Sequence, residues 1–149
     1  MALFDMAGHL IRRLQQTSTR IFQQHMQALG LDLTSVQFAA LSVLRDNPGI
    51  EQARIAALIA YDRATIGGVI DRLERKGYVE RHTSDQDRRA KSVRLTDLGR
   101  RTLEQVSPIV TALQDDILGG LSETERQQFL QYAQKVLMAS EEDSAQSQS

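Results

Sequence analysis

The sequence predicts a mainly helical fold with one small β-hairpin, and two adjacent stretches lead to this prediction. In the first, residues 63–76, the apolar side chains recur at the i, i+3, i+4, i+7 spacing of a helix with one buried face, and Gly77 follows as a stop. The buried face would consist of Ile66, Val69, Ile70 and Leu73. The second stretch contains residues 78–82 and 92–95, which alternate with the period of two expected for strands. With a short helix and a tight turn before them, these elements predict a winged helix-turn-helix.

The elements that precede this motif follow from helical periodicity and stop signals. Residues 5–29 place their apolar side chains on one stripe and end before a glycine, which predicts a long first helix. Thr34 and Gln37 fit a capping box, so a second helix begins there and runs to about Arg45. The turn at residues 47–49, Asn-Pro-Gly, would end it.

The remaining elements are three further helices, which follow from their capping residues. A third helix is predicted over residues 51–60, followed by a tight turn in which Asp62 would cap the fourth helix. After the hairpin, Thr96 would cap a fifth helix, and Ser122 would open the capping box of a sixth.

Composition excludes several classes of function. The 149 residues carry a formal net charge of -1, so any nucleic-acid contact has to come from a local patch. Residues 61–94 form such a patch, with nine Lys and Arg against six acidic residues; a solvated charged surface is the alternative. The chain has no cysteine, which excludes disulfides and thiolate-bound metals. Since no signal peptide or long apolar run is present, we expect a cytoplasmic protein without a membrane partner.

No set of catalytic residues is evident, so we do not expect an enzyme. The three histidines, His9, His25 and His82, fall on different predicted elements, and no Gly-rich phosphate loop follows a strand. No cluster of His, Asp and Glu has the spacing of metal ligands, so neither a metal nor a cofactor is expected.

The order of elements and one motif resemble the MarR family of bacterial transcription regulators. The motif runs over residues 87–96, Asp-Arg-Arg-Ala-Lys-Ser-Val-Arg-Leu-Thr, and Asp-Leu-Gly follows at residues 97–99. Residues 71–79 also look like that family's exit from the recognition helix. The resemblance covers residues 5–139. It implies a homodimer whose two winged lobes grip a palindromic operator.

The resemblance also implies the organisation of the chain. A single winged helix-turn-helix domain would cover residues 1–140. Within it, residues 31–96 would form the DNA-binding lobe, and residues 1–30 and 97–140 the dimerisation helices. Residues 141–149 have nothing to bury, and we expect them to form a disordered tail.

In the wing, the resemblance points to Arg89 as the DNA-contacting arginine and to Asp87 as its orienting partner. A guanidinium at a hairpin tip suits the strong negative potential of a narrow A·T minor groove. Arg88, Lys91 and Arg94 would be directed at phosphates; the alternative for each is a loose surface salt bridge of little energetic value.

On the fourth helix, the face opposite the apolar stripe is small and basic. Arg63 and Thr65 are the candidates for direct base contact, and Arg72 adds positive charge. Gly67 and Gly68 stand where the resembling family usually carries polar or basic residues, and each costs roughly 1 kcal/mol of helix propensity relative to Ala. We expect them to let the helix backbone approach DNA closely. Close packing of Gly67 against the third helix is the alternative.

Polar and aromatic residues of the first two helices indicate a ligand site. Ser18 and His25 fall within the apolar stripe of the first helix, where buried polar groups need partners. The resemblance implies a pocket between the first, second and fifth helices. Phe22 and Phe38 could stack there on an aromatic ring, and Arg13 could supply positive charge for an anion. For His25, a hydrogen bond within the protein is the alternative.

These observations predict a ligand-responsive transcription regulator. We expect a repressor that leaves its palindromic operator when a small anionic or aromatic effector binds, with an aromatic acid or its thioester as the chemical class. Its partners would be double-stranded DNA, a second copy of the chain and the effector. The rival prediction is a winged helix used as a protein-interaction module, since this fold serves both roles.

Overall fold

The computed structural model describes residues 1–60, 63–83 and 91–148, and the helices and the hairpin follow the predicted order. A single 3-10 turn at Leu3–Asp5 precedes the first helix. The helices are α1 (Ala7–Ala28), α2 (Ser35–Asp46), α3 (Gln52–Leu58), α4 (Arg63–Arg75), α5 (Asp97–Ile117) and α6 (Glu123–Ser147). The strands β1 (Ile50–Glu51), β2 (Val79–Thr83) and β3 (Lys91–Leu95) form one antiparallel sheet in the order β1-β3-β2. None of the described helices is long and apolar enough to span a membrane.

The chain consists of two compact units, residues 1–113 and residues 114–149. The first unit contains the hydrophobic core, to which α1 to α5 and the sheet all contribute. The predicted apolar stripe of α4 is confirmed as part of this core. The fully buried residues of the core include Met26, Leu41, Leu44, Ile55, Ile66, Ile70, Leu73, Val93, Leu103, Val106 and Leu113.

The end of α4 is the stop that the sequence predicts. Gly77 has φ +79°, the Tyr78 N–H donates to the Leu73 carbonyl at 3.0 Å, and the Gly77 N–H donates to the Glu74 carbonyl at 3.0 Å. These two bonds form a Schellman motif, which satisfies the last carbonyls of the helix.

The start of α5 is fixed against this end of α4. The predicted Thr96 cap is confirmed, since the Gly99 N–H donates to Thr96 Oγ1 at 3.0 Å and the same hydroxyl donates to the Gly77 carbonyl at 2.5 Å. A Cβ atom at Gly99 would lie only 2.0 Å from the Tyr78 carbonyl oxygen. Only glycine allows this close approach, which locks α5 onto the connection between α4 and β2.

Both predicted capping boxes are present. Thr34 Oγ1 accepts from the Gln37 N–H while Gln37 Oε1 accepts from the Thr34 N–H, each at 3.2 Å. Ser122 Oγ accepts from the Glu125 N–H at 3.2 Å, and Glu125 accepts in return from the Ser122 N–H at 2.9 Å. The backbone and side-chain hydrogen bonds of Ser122 hold the pKa of Glu125 below its ordinary value.

Two elements differ from the prediction. Glu51, predicted as the start of the third helix, lies in β1, which pairs Ile50 with Val93 of β3. A strand of two residues has no periodicity of its own, and only its partner strand defines it. Residues 141–147, which the sequence analysis assigns to a disordered tail, continue α6 in the structure. These residues contain good helix formers and neither glycine nor proline, so nothing ends the helix earlier.

Candidate nucleic-acid interface

The face of α4 opposite its buried stripe is open to solvent. Gly68 is half-buried there. Of Arg63 the structure describes the backbone, at the first residue of α4, while its side chain lies outside the described part. The exposed residues of this helix include Ala64, Thr65, Asp71, Arg72 and Arg75. The predicted candidates Thr65 and Arg72 therefore share one accessible helix with the two glycines.

Packing does not explain the paired glycines. A Cβ atom at Gly67 would meet Gln52 Nε2 of α3 at 3.6 Å, an ordinary van der Waals contact, and a Cβ atom at Gly68 would meet nothing within 4 Å. Neither residue has a positive φ. Close packing against α3, the alternative for Gly67, therefore does not require a glycine, and the absence of side chains leaves the helix backbone accessible.

An ion pair joins α4 to the wing. The Arg81 side chain of β2, only 15% exposed, donates through Nη2 to Asp71 Oδ1 and lies 3.5 Å from the Gly67 carbonyl. The hydrogen bond and the charge of Arg81 hold the pKa of Asp71 below its ordinary value. From the sequence, Arg81 was recognisable only as part of the basic patch. The alternation of the β2 strand could have indicated that Arg81 faces the interior side of the sheet, because it places Arg81 on the same face as the buried Val79.

A second contact fixes the far end of α4. Lys76, which follows the last residue of the helix, donates through Nζ to the Asp32 carbonyl and to Gln37 Oε1, the latter at 3.0 Å. Gln37 is buried, and its oxygen is the same one that caps α2. Lys76 therefore holds α4 to the connection between α1 and α2, a structural role that its charge alone does not reveal.

The two predicted strands of the wing pair as an antiparallel hairpin. β2 and β3 pair from Val79 with Leu95 to Thr83 with Lys91. Lys91, a predicted contact residue, is exposed at the end of this ladder. The predicted wing residues Asp87, Arg88 and Arg89, and the predicted cap Asp62, lie outside the described residues.

A cleft of about 540 Å³ opens beside α4, between its C-terminal half and the start of α2. Arg72 and Arg75 line it together with Lys76, and Asp32 is its acidic residue. Arg72 and Arg75 place positive charge next to the open face of α4, where a polyanion alongside the helix would meet it.

The predicted ligand residues of α1 and α2 come together only in part. Phe22 and Phe38 are neighbours, with ring centroids 6.2 Å apart and an interplanar angle of 54°. His25 Nδ1 donates to the Ile21 carbonyl at 2.9 Å, so this histidine has a partner in its own helix, as the alternative interpretation expects. Ser18 is half-buried one turn before Phe22. Arg13 is exposed about 14 Å from Phe22 along the helix axis, outside an aromatic cluster of this size.

Metal chemistry has no candidate among the described residues, which contain no group of three or more His, Asp or Glu side chains placed to hold an ion. Of the predicted sites, the open face of α4 with its flanking cations is accessible, whereas the aromatic pair of α1 and α2 includes the buried Phe22.

Comparison with known proteins decides the family. Residues 33–91 match the sequence profile of the MarR family. The chain is 35% identical to the HTH-type transcriptional repressor NicR of Pseudomonas putida over 137 residues, which are 92% of this chain and 85% of that protein. The chain belongs to the MarR family. It is a transcription regulator of the winged helix-turn-helix type.

Solved structures of MarR-family proteins agree with this fold. One is BpsR of Bordetella bronchiseptica, whose DNA binding is regulated by 6-hydroxynicotinic acid; it is 32% identical, with a TM-score of 0.83 over 91% of this chain and 96% of that one. Another is a mutant of Escherichia coli MarR bound to operator DNA, 28% identical, with a TM-score of 0.79 over 87% of this chain and 92% of that one.

Proposed function

We propose that this MarR-family chain is a homodimeric repressor that binds a palindromic operator and leaves it when a small aromatic acid binds. It acts by binding and not by catalysis. The observation that carries the proposal is the open face of α4, where two glycines that packing does not require lie beside exposed Thr65 and Arg72.

Each group on this face has a distinct expected role at DNA. The accessible backbone at Gly67 and Gly68 allows α4 to sit deep in a major groove, and Arg63 and Thr65 contact base edges. Arg72 is directed at phosphates. In the wing, Arg89 enters the minor groove with Asp87 as its orienting partner, and Arg88 and Lys91 neutralise phosphates.

Dimerisation is supported by apolar side chains that no described residue covers. In the first unit, Leu3, Phe4 and Ile11 are exposed, although large apolar residues so close together are usually covered in a soluble protein. In the second unit, α6 has no buried residue, yet apolar side chains recur along one side of it. These are Phe129, Leu130, Ala133, Val136 and Leu137. A second copy of the chain supplies the missing cover and gives the two-fold symmetry that a palindrome needs.

The effector class is supported by the aromatic pair Phe22 and Phe38 and by BpsR, which responds to an aromatic carboxylic acid. Such a ligand stacks on the rings and finds Ser18 and His25 nearby, with Arg13 as the more distant source of positive charge. It releases the operator if it binds best to the dimer in which the two α4 helices depart from the spacing of about 34 Å between successive major grooves.

Titration of duplex DNA at two salt concentrations separates this function from a protein-interaction module. A repressor that neutralises several phosphates loses affinity steeply as salt rises, whereas a protein-docking module has no reason to bind duplex. Arg72→Gln should lower the slope of log affinity against log salt by about one unit, and Arg89→Ala should weaken binding without unfolding the protein. Arg101→Gln, which removes an exposed arginine of α5, is the matched control. Absence of duplex binding at low salt would refute the proposal.

A separate screen tests the effector site. Aromatic carboxylates and their thioesters are assayed for thermal stabilisation and operator release, first on the natural protein and then on Ser18→Ala with His25→Ala. Active compounds should need higher concentrations to release the double variant. If release occurs at an unchanged concentration, the pocket is not formed by these residues.

A further inference from the structure

A second concentration of arginines lies in a cleft of the first unit that the proposed function does not use. The cleft has a volume of about 370 Å³ and lies where the end of α2, the sheet and the start of α5 meet. Three arginines, Arg45, Arg94 and Arg100, line it, and Leu44 and Leu95 supply an apolar wall. A volume of this size falls within the range of sites for small organic ligands.

The alternation of the strands places this cleft away from α4. In β2, Arg81 contacts α4, and its partner in β3 is the buried Val93. The next pair in the ladder, Glu80 with Arg94, therefore points to the opposite face of the sheet. Arg94, which the sequence suggested as a phosphate contact, accordingly lies on the face of the sheet that is turned away from the open helix.

The turn between α2 and β1 is shaped to hold the Arg94 guanidinium. Gly49 has φ +76°, a conformation that favours glycine, and its N–H donates to the Val93 carbonyl at 3.2 Å. A Cβ atom at Gly49 would lie 2.8 Å from Arg94 Nη2 and 3.0 Å from Arg94 Cζ. The guanidinium thus lies against the bare backbone of the turn, and any side chain at Gly49 would displace it.

The three arginines of the cleft differ in their ion-pair partners. Arg45 Nε pairs with Asp46 at 3.1 Å, and Arg100 Nη2 pairs with Asp97 at 2.5 Å. For Arg94, no carboxylate within the described ranges forms an ion pair. Glu80, which lines the cleft with the three arginines, is the cross-strand partner of Arg94, and its carboxylate lies 3.4 Å from the His82 ring. A positive group beside an apolar wall attracts an anion that also has an apolar body.

We propose that this cleft binds a small organic anion, with Arg94 as the central cation and with the apolar body of the ligand against Leu44 and Leu95. The site would take a carboxylate or a phosphate monoester with a compact apolar group. The proposal goes beyond the proposed function, because this cleft is separate from the aromatic pair of α1 and α2 and from the open face of α4.

The test uses the DNA-free protein and three probes: benzoate, octanoate and phenyl phosphate. NMR signals of the arginine Nε–Hε groups are followed during titration. At least one probe should shift the Arg94 signal saturably with a dissociation constant below about 10 mM, while benzamide, the uncharged counterpart of benzoate, should not. In Arg94→Gln, binding is followed on the Arg45 and Arg100 signals and should be abolished. Arg101→Gln, which removes an arginine adjacent in sequence to Arg100, should retain it.

Three results would overturn the proposal: no saturable shift with any probe, an equal response to benzamide, or unchanged binding in Arg94→Gln. Operator affinity gives an independent check. Without a probe, Arg94→Gln should bind operator within about twofold of the natural protein. A salt-dependent loss of operator affinity would instead make Arg94 a phosphate contact and would end the proposal, while supporting the DNA-binding function itself.

Discussion

At Gly68, folding and the proposed DNA contact favour different residues. It lies inside a regular helix, with open space where a Cβ atom would be, so folding alone would favour alanine. Gly68→Ala should raise the free energy of unfolding by roughly 0.5–1 kcal/mol, because alanine loses less backbone entropy in a helix. If α4 lies against DNA as proposed, the same methyl group would separate the helix backbone from the duplex, and operator affinity should fall. Urea unfolding and fluorescence anisotropy measure the two effects.

Gly8 provides the matched control for this prediction. It also lies in a helix, α1, and a Cβ atom added to it would meet nothing within 4 Å. Gly8→Ala should not reduce stability, which checks the helix-propensity effect of the substitution by itself. If Gly68→Ala bound operator as tightly as the natural protein, close backbone approach at this position would be excluded.

Substitution of Thr65 distinguishes a sequence-specific contact with a base from sequence-independent attraction to the phosphates of DNA. It is exposed near the start of α4, where side chains of a helix placed in a major groove reach base edges. Thr65→Ala should reduce discrimination between the operator and a mutated operator by roughly 1–3 kcal/mol while changing affinity for random duplex much less. An equal loss on both duplexes would make Thr65 a phosphate contact.

The Asp71 and Arg81 ion pair connects α4 to the wing. Because Arg81 lowers the pKa of Asp71 in the folded protein, the pair contributes stability above the ordinary aspartate pKa of about 3.9, and this contribution disappears as pH falls through the lowered folded value. Asp71→Asn should therefore be less stable than the natural protein at pH 7 and equally stable in strong acid. Urea unfolding across pH measures this difference.

Glu74→Gln is the control for this pH dependence, since Glu74 is also exposed on α4 and is not part of the pair. If the free energies of unfolding of Asp71→Asn and of the natural protein differed by the same amount from pH 7 down to strong acid, the role of the ion pair would be contradicted.

Elements with a periodic pattern were predictable, and elements defined by a partner were not. The α4 stripe, the Gly77 stop and the Thr96 cap each follow from local side-chain chemistry, so the sequence carries them. By contrast, β1 exists because Val93 pairs with Ile50 across the sheet. The candidate site shows the same difference. The exposed position of Thr65 and Arg72 follows from the helical periodicity of α4. The ion pair of Arg81 with Asp71 could not be predicted, because it depends on how the hairpin folds back onto α4.

Recognition of a palindromic operator requires two copies of the chain. Leu130 and Leu137 lie on the apolar side of α6 and are exposed. Leu130→Glu with Leu137→Glu should yield a monomer at concentrations where the natural protein is a dimer, because charge cannot be buried in an apolar interface without a partner. Analytical ultracentrifugation measures the mass, and Gln131→Glu on the opposite side of α6 is the control. A stable dimer of the double variant would place the interface elsewhere.

Selection of duplexes from a randomised pool tests operator recognition by a dimer most directly. The purified protein is incubated with the pool, bound duplexes are amplified over several rounds, and the enriched sequences are aligned. A homodimeric repressor should enrich an inverted repeat whose half-sites are about one helical turn apart, or a multiple of it. The enrichment should be lost in Arg89→Ala. Recovery of an unchanged random pool by the natural protein would contradict operator recognition.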